Sequence, residues 1–158
     1  MNIKHQITLG AIIGVSTIAA QAAEAEPQAE LRCLALNVYH EARNQSDKGQ
    51  EAVALVTINR VIDKRWPNTI CGVVKDYKQF SWFWDGKSDT PYEHDKWAAA
   101  LILASAVIDG QIQDFTQGAN HYHAAYVKPY WIKDPHMTVT LREDAHIFYH
   151  HSNSTTNH

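Results

Sequence analysis

The chain has 158 residues, 45% of them hydrophobic and 20% charged, which is enough for one domain with a real core and excludes a disordered chain. Its 14 basic and 17 acidic residues give a net charge of −3 with histidine neutral, and no basic cluster marks a nucleic-acid surface, so no nucleic-acid partner is expected. Five Trp and seven Tyr are many for this length; such rings serve cores, and they also line clefts where a flat apolar face is needed.

The N-terminus reads as an export leader. Lys4 and His5 form a short positive region, Thr8 to Ala23 is free of charge, and Ala20-Gln21-Ala22 and Ala23-Glu24-Ala25 both fit a small-x-small cleavage site. The alternative is a weak anchor, but the run is short for a span and only weakly apolar. Residues 1–22 are therefore expected to be a signal peptide or weak anchor and the only membrane contact, with the rest exported to the periplasm or the extracellular wall. Their removal leaves 13 basic and 17 acidic residues, a net −4, with nine of the ten histidines retained. The charge then rises between pH 7 and pH 5.

Residues 23–30 are expected to form an exposed linker. A first helix is predicted from about Glu30 to Gln45, with Leu31, Leu34, Ala35, Val38 and Ala42 on one face. Ser46 to Gly49 reads as a turn, and a second helix follows to about Lys64. Ala52, Leu55, Val56, Asn59 and Ile62 line one of its faces. Val53, Ile58 and Val61 widen that apolar surface, so the helix should be buried on most sides. Trp66-Pro67-Asn68-Thr69 stops it and opens a short helical turn through Val74.

Phe80 to Trp84 reads as a short extended piece closed by Asp85-Gly86. A third long helix is predicted from His94 or Asp95 to Asp109, stopped by Gly110, with Trp97, Leu101, Ala104 and Ile108 as its core stripe. Extended pieces follow at 119–123, 138–141 and 146–149, the last two split by Arg142 to Ala145 as a hairpin. Residues 151–158 form a polar tail, and His150, His151 and His158 read as solvated. The expected fold class is helix-rich α+β, one domain over 31–150, with a small β element beside the cleft.

Cys33 and Cys71 are disulfide candidates in an exported protein, and closing that loop would contribute roughly 3–4 kcal/mol in the chain-entropy model. A cysteine nucleophile with a histidine partner, or two buried free thiols, are the alternatives.

Glu41 is the candidate acid. It lies in Tyr39-His40-Glu41-Ala42-Arg43, at the edge of the apolar face of the first helix, nearly above Leu34. A half-buried carboxyl there can hold its proton near neutral pH and act as an acid. The plainer reading is a solvated carboxylate, or one paired with Arg43 or Lys48. Asn59 puts an amide on the apolar stripe of the next helix, where it must be hydrogen-bonded, either as a brace or as a group holding Glu41 or a substrate amide.

These residues carry a resemblance. Cys33 through Glu41 to Arg43, then Gly49-Gln50 through Asn59-Arg60-Val61, resemble the spore cortex-lytic SleB/CwlJ group of cell wall hydrolases. Trp66 to Val74 is similar to that family's P-x-T-I-x-x-V segment, Gln79-Phe80-Ser81 to its Q-F-S, and His146-Ile147-Phe148-Tyr149 to its closing H-x-F-Y. Gly118 to His123 and Pro129-Tyr130-Trp131 resemble the strand and loop between them. The resemblance spans roughly residues 31–150 and implies a fold related to lysozyme and the lytic transglycosylases. It also implies cleavage of the β-1,4 bond between N-acetylmuramic acid and N-acetylglucosamine in peptidoglycan glycan strands, with Glu41 in the place of the catalytic glutamate. The chain shows no separate peptidoglycan-binding repeat, and His123 stands where many spore members differ. It therefore suits a small secreted wall lysin, such as an endolysin, better than a germination enzyme.

No second acid matches Glu41 in placement: Asp47, Asp85 and Asp144 are expected in turns and Glu51 early in a helix. One acid suffices for a lytic transglycosylase, where the sugar's own C6 hydroxyl replaces the water that a second carboxylate would activate. Expected substrate-binding residues are Asn59, Gln79, Ser81, His121, Tyr122 and His146, with Trp131 as a stacking platform, whereas Phe80 and Phe148 read as core. No cofactor is implied, and a monomer is expected. Two rival readings remain: a zinc peptidase of peptidoglycan using His40, Asp47, His121 and His123, and a wall-binding module without catalysis.

Overall fold

The structure, a computed structural model, describes residues 15–152, with side chains from residue 25 onward. The leader expected over 1–22 lies largely outside the described residues, as does His158. Among the described residues, no helix is long and apolar enough to cross a membrane.

The first helix, α1, runs Val15–Ala42 and continues straight through Pro27. Residues 25–29 are exposed, but they are helical, not a flexible linker. Their Ala, Glu and Gln content favours helix, and one proline removes only one backbone donor. The buried face of α1 holds Leu34, Ala35, Val38, Tyr39 and Ala42, close to the stripe read from the sequence.

Helix α2 runs Asp47–Ile62, two residues ahead of its predicted start, because Ser46 caps it: the Ser46 hydroxyl accepts from the Gly49 amide at 3.1 Å. Gly49 leaves room for the Asp144 carboxylate there. A Cβ at that position would sit 2.6 Å from Asp144 Oδ2, and Asp144 also takes the Ser46 amide at 2.7 Å. The tip of the distant hairpin is thereby tied to the corner between α1 and α2. Helix α2 is buried from Ala52 to Thr57, as its apolar width predicted.

Helix α3, Ile70–Lys75, is capped twice. Thr69 accepts from Gly72 at 3.0 Å, and the Glu30 carboxylate of α1 accepts from the Ile70 and Cys71 amides at 2.6 and 3.2 Å. A disulfide joins Cys33 of α1 to Cys71 of α3, with the Cα atoms 5.2 Å apart. Residues Ser81–Trp84, expected to be extended, form one helical turn, α4. The Trp82 indole turns inward there and donates to the buried Asn37 amide at 3.2 Å.

Helix α5, His94–Ile108, packs on α1 and ends at Gly110, which has a left-handed φ of 68°. Its buried residues are Ala100, Ala104 and Val107, while Ile108 is exposed. Of the predicted stripe, Ala104 is buried and Trp97 and Leu101 pack half-buried against the same cluster, so only Ile108 falls outside it.

The β element is a three-stranded antiparallel sheet in the order β1 (His121–Ala124), β3 (His146–His151), β2 (Met137–Glu143). β2 and β3 form the predicted hairpin, with a bulge between Val139 and Leu141. β3 runs further than expected: His150 pairs with Thr138 and His151 with Met137. Neither histidine is a solvated tail residue, since His150 Nδ1 meets Gly118 O at 2.7 Å and the His151 amide donates to Asn120 Oδ1 at 2.9 Å.

Two apolar clusters result. One joins α1, α3 and α5 around Leu34, Val38, Val73 and Ala104; the other packs Phe148 of β3 on Ala42, Val53 and Val56. Tyr39 belongs to the first and Ala42 to the second. Glu41 lies between them in sequence, at the seam of the two clusters.

Candidate active site

The seam opens into a cleft of about 630 Å³. Glu41 reaches it from α1 and Arg60 from α2, while Gln79, Phe80 and Ser81 form one wall and His121, Tyr122 and Trp131 the other. Six of the eight residues expected at the site from sequence therefore meet around one cavity. Phe80 is at once a core residue and part of the cleft wall.

Glu41 is not an ordinary helix carboxylate. The cations once available to it are engaged elsewhere: Arg43 pairs with Glu93 at 2.6 Å and Lys48 lies 3.9 Å from Glu143. The Tyr122 hydroxyl donates to Glu41 Oε2 at 3.0 Å. Burial raises the Glu41 pKa above the usual carboxylate value, against a smaller downward pull from the Tyr122 hydrogen bond and the Arg60 charge. Tyr122 is half-buried, and desolvation together with the Glu41 charge pushes its phenol well above its ordinary value. Tyr122 therefore stays protonated and remains a donor.

Arg60 is the residue the sequence reading passed over. It follows Val53 and Val56 at helical spacing, so it sits on a buried face, and burial lowers its pKa to about 10. Its Nε donates to Asn120 O at 2.8 Å, its guanidinium lies over the rings of Phe80 and Trp66, and one terminal nitrogen, NH1, is buried without a partner. An arginine in phase with the core stripe of a helix was the available signal. Lys78 and Val127 also line the cleft without having been singled out.

The walls are held by second contacts. Gln79 Oε1 accepts the Trp66 indole N–H at 3.2 Å. His121 Nδ1 meets Asn120 Oδ1 at 2.8 Å, and Asn120 uses its amide nitrogen on His151 O, so the proton lies on His121 Nδ1 and Nε2 is left as an acceptor. Burial, with smaller contributions from the charges of Arg60 and His151, lowers the His121 pKa to about 4 and keeps the ring neutral. Trp131 is fixed by edge contacts to His121, His123 and Tyr149 at ring distances of 5.3, 5.5 and 5.3 Å.

Two expected site residues are elsewhere. Asn59 faces away from Glu41 and donates to Ala119 O at 3.0 Å, Asp114 at 3.2 Å and Thr116 at 3.4 Å, so it braces the loop before β1. Helical rotation explains this: Asn59 and Arg60 are consecutive, roughly 100° apart around the helix, and only Arg60 turns to the cleft. His146 is buried edge-on against Tyr122 at 5.3 Å and does not line the cavity. The zinc arrangement fails on geometry as well. His40 stacks on Trp82 at 4.4 Å, His123 bonds Tyr149 through Nε2 at 2.9 Å, and Asp47 lies in the first turn of α2 beside α5. Among the described residues, no three His, Cys, Asp or Glu side chains are placed to hold a metal.

Fold and site together define a helix-rich α+β domain that presents one buried acid to an open cleft. The family model described as Cell Wall Hydrolase matches residues 44–149. This chain belongs to the cell wall hydrolase family. The matched segment begins three residues beyond Glu41, whereas the resemblance read from the sequence starts near residue 31. Spore cortex-lytic enzymes are similar over shorter stretches. The Bacillus cereus enzyme is 38% identical over 60 residues, 38% of this chain and 23% of its own length. The Bacillus subtilis enzyme is 38% identical over 58 residues, 37% of this chain and 19% of its own. The chain thus matches about a fifth of these relatives.

Among solved structures, the catalytic domain of the Bacillus cereus SleB protein superposes with a TM-score of 0.62 at 31% identity, covering 78% of this chain and 91% of that one. The catalytic domain of the germination-specific lytic transglycosylase SleB from Bacillus anthracis gives 0.63 at 31% identity, covering 78% and 95%. The helix-rich α+β fold is that of these catalytic domains.

Proposed function

We propose that the chain is an exported peptidoglycan glycosidase that cleaves the β-1,4 bond between N-acetylmuramic acid and N-acetylglucosamine. In this reading it acts as a lytic transglycosylase with Glu41 as the single acid and base. The observation that carries the reading is that Glu41, its pKa raised by burial, is the one carboxyl group among the described residues lining the cleft. The relatives' names, which specify cortex lysis and lytic transglycosylation, support the substrate and the reaction class.

Protonated Glu41 gives its proton to the glycosidic oxygen as the bond to C1 breaks. The departing strand leaves as an alcohol, and the muramyl ring carries the positive charge. Its C6 hydroxyl then attacks C1 and returns its proton to Glu41, closing a 1,6-anhydro ring and restoring the acid. Water is not consumed, and no second carboxylate is needed. While Glu41 is ionised, the Tyr122 hydroxyl and the Arg60 charge hold the carboxylate. Gln79, Ser81 and His121 offer polar groups to sugar hydroxyls and acetamido groups, and the fixed Trp131 ring offers a platform.

The test is digestion of isolated sacculi with products identified by mass. Wild type should release 1,6-anhydro muropeptides, and Glu41→Gln should lose about 10²–10⁴ in rate, the span for a positioned general acid. Products carrying only reducible ends would replace transglycosylation by hydrolysis. Binding to sacculi without any release would leave only the wall-binding module.

A further inference from the structure

A second cavity, of about 380 Å³, adjoins the Glu41 cleft and shares His121 and Trp131 with it. Its other walls are Trp66, Tyr130 and Met137, with Asp134 and His151 as polar groups. We propose that this cavity is a distal glycan subsite, holding an N-acetylated hexosamine ring of the same strand away from the bond that is cut; it rests on the glycan-cleaving reading above.

Three observations favour a sugar ring there. The first is continuity: a strand leaving the cleft past His121 meets Trp131, and the second cavity begins on that ring. The second is the lining. Trp131 is held rigidly by three neighbouring rings, and Tyr130, 87% exposed, stands free at the rim. Rigid aromatic surfaces bind with little ordering cost. Beside them, Asp134 Oδ2 pairs with His151 Nε2 at 3.5 Å, and the partly exposed Asp134 carboxylate keeps further lone pairs to accept from a hydroxyl group.

The third is that, among the described residues lining the cavity, no Lys or Arg is free for a competing ligand, the acidic stem peptide. Arg65 borders the cavity, but its Nε donates to Asp63 at 3.0 Å, its NH2 to Asp63 and to His151 O at 2.5 and 2.8 Å, and its NH1 meets His151 Nδ1. Its guanidinium also lies 4.8 Å over the Trp66 ring. That arginine is spent on the fold, and Asp134 would repel a carboxylate.

The experiment uses the full chain carrying Glu41→Gln, so that ligands survive. It is titrated calorimetrically with peptide-free N-acetylglucosamine–N-acetylmuramic acid oligomers of two, four and six sugars. Affinity should rise about tenfold between the shortest and longest oligomers, and adding Tyr130→Ala should remove that increment. Tyr130 is exposed, so the variant does not threaten folding. A flat response to length, or an increment that survives Tyr130→Ala, overturns the proposal. An increment seen only with peptide-bearing oligomers overturns it in favour of the stem peptide. The catalytic reading fails separately: if wild type releases no glycan fragments while the Tyr130-dependent increment persists, the subsite stands and the reaction assignment falls.

Discussion

Asn59 and Arg60 are neighbours on the last turns of α2 and face different grooves. Asn59 spends its amide nitrogen on the loop before β1 and sits in a groove with Asp63, Asn120 and His150 whose polar groups largely bond one another. Arg60 borders the Glu41 cleft with a buried N–H left over. Both are polar residues on a helix whose middle turns, Ala52 to Thr57, are packed in the core. The contrast shows what separates a scaffold from a site here. A polar group whose bonds close internally stabilises one geometry. A buried cation with spare capacity beside a carboxyl of raised pKa keeps free energy available for a change of charge state.

The contrast is tested most strongly at Asn59. Asn59→Ala removes the shared donor of Ala119 O, Asp114 and Thr116, and is expected to destabilise the fold by about 1–3 kcal/mol in urea unfolding. Activity per folded molecule should hold within about twofold, since no bond to Glu41 is lost. A large fall in turnover at full stability would instead return Asn59 to the site.

The two sides were not equally legible in the sequence. Periodicity located α1, α2 and α5, and the turn residues between the last two strands located the hairpin, because those signals are local. The failures have physical causes. Residues 23–29 looked like a linker from Pro27 and their charge, although Ala, Glu and Gln carry the helix through. The aromatic run Ser81–Trp84 looked extended because aromatic residues favour strands. What decides its conformation is the buried Trp82–Asn37 hydrogen bond, a long-range contact. His150 and His151 looked frayed because their partners, Gly118, Asn120 and the start of β2, are distant in sequence. Glu41, Tyr122 and Trp131, expected from residue type and family pattern, line one cleft. Asn59 and Arg60 were exchanged, because an apolar stripe drawn at helical spacing is uncertain by about one residue, or roughly 100° of rotation.

A smaller effect sharpens the cleft side. Tyr122→Phe deletes the hydroxyl that favours ionised Glu41, while burial, which favours the protonated form, and the Arg60 charge, which opposes it, both remain. Activity requires protonated Glu41, so it declines as pH rises through the Glu41 pKa. In Tyr122→Phe that decline should move to higher pH. The plateau rate on its acid side should fall by less than about tenfold, as expected for a weaker acid in the same place. The other charged and titratable groups lining the cleft, Lys78 and His121, are unchanged in this variant, so they do not account for a displaced limb. A limb that moves to lower pH, or does not move, would mean that Tyr122 does not set the acidity of Glu41.

The smallest effect reverses the usual sign of a mutation. The folded Glu41 carboxyl has a pKa above its ordinary value of 4.5, so the folded chain holds this proton more tightly than the unfolded chain does. Below the ordinary value, both states are protonated and Glu41 costs nothing. As pH rises from there through the raised value, the unfolded state loses its proton first, and stability falls. At neutral pH the native fold therefore carries a penalty for a buried carboxylate. Glutamine keeps the shape and the acceptor for Tyr122 but does not titrate. Glu41→Gln should therefore melt above wild type at pH 7, and the difference should vanish below about pH 4. No such gain is expected from Asn59→Gln, which should melt below wild type at pH 7. Equal melting temperatures at pH 7, or a Gln variant less stable than wild type there, would show that Glu41 is not strained by burial and would remove the physical basis for treating it as the acid.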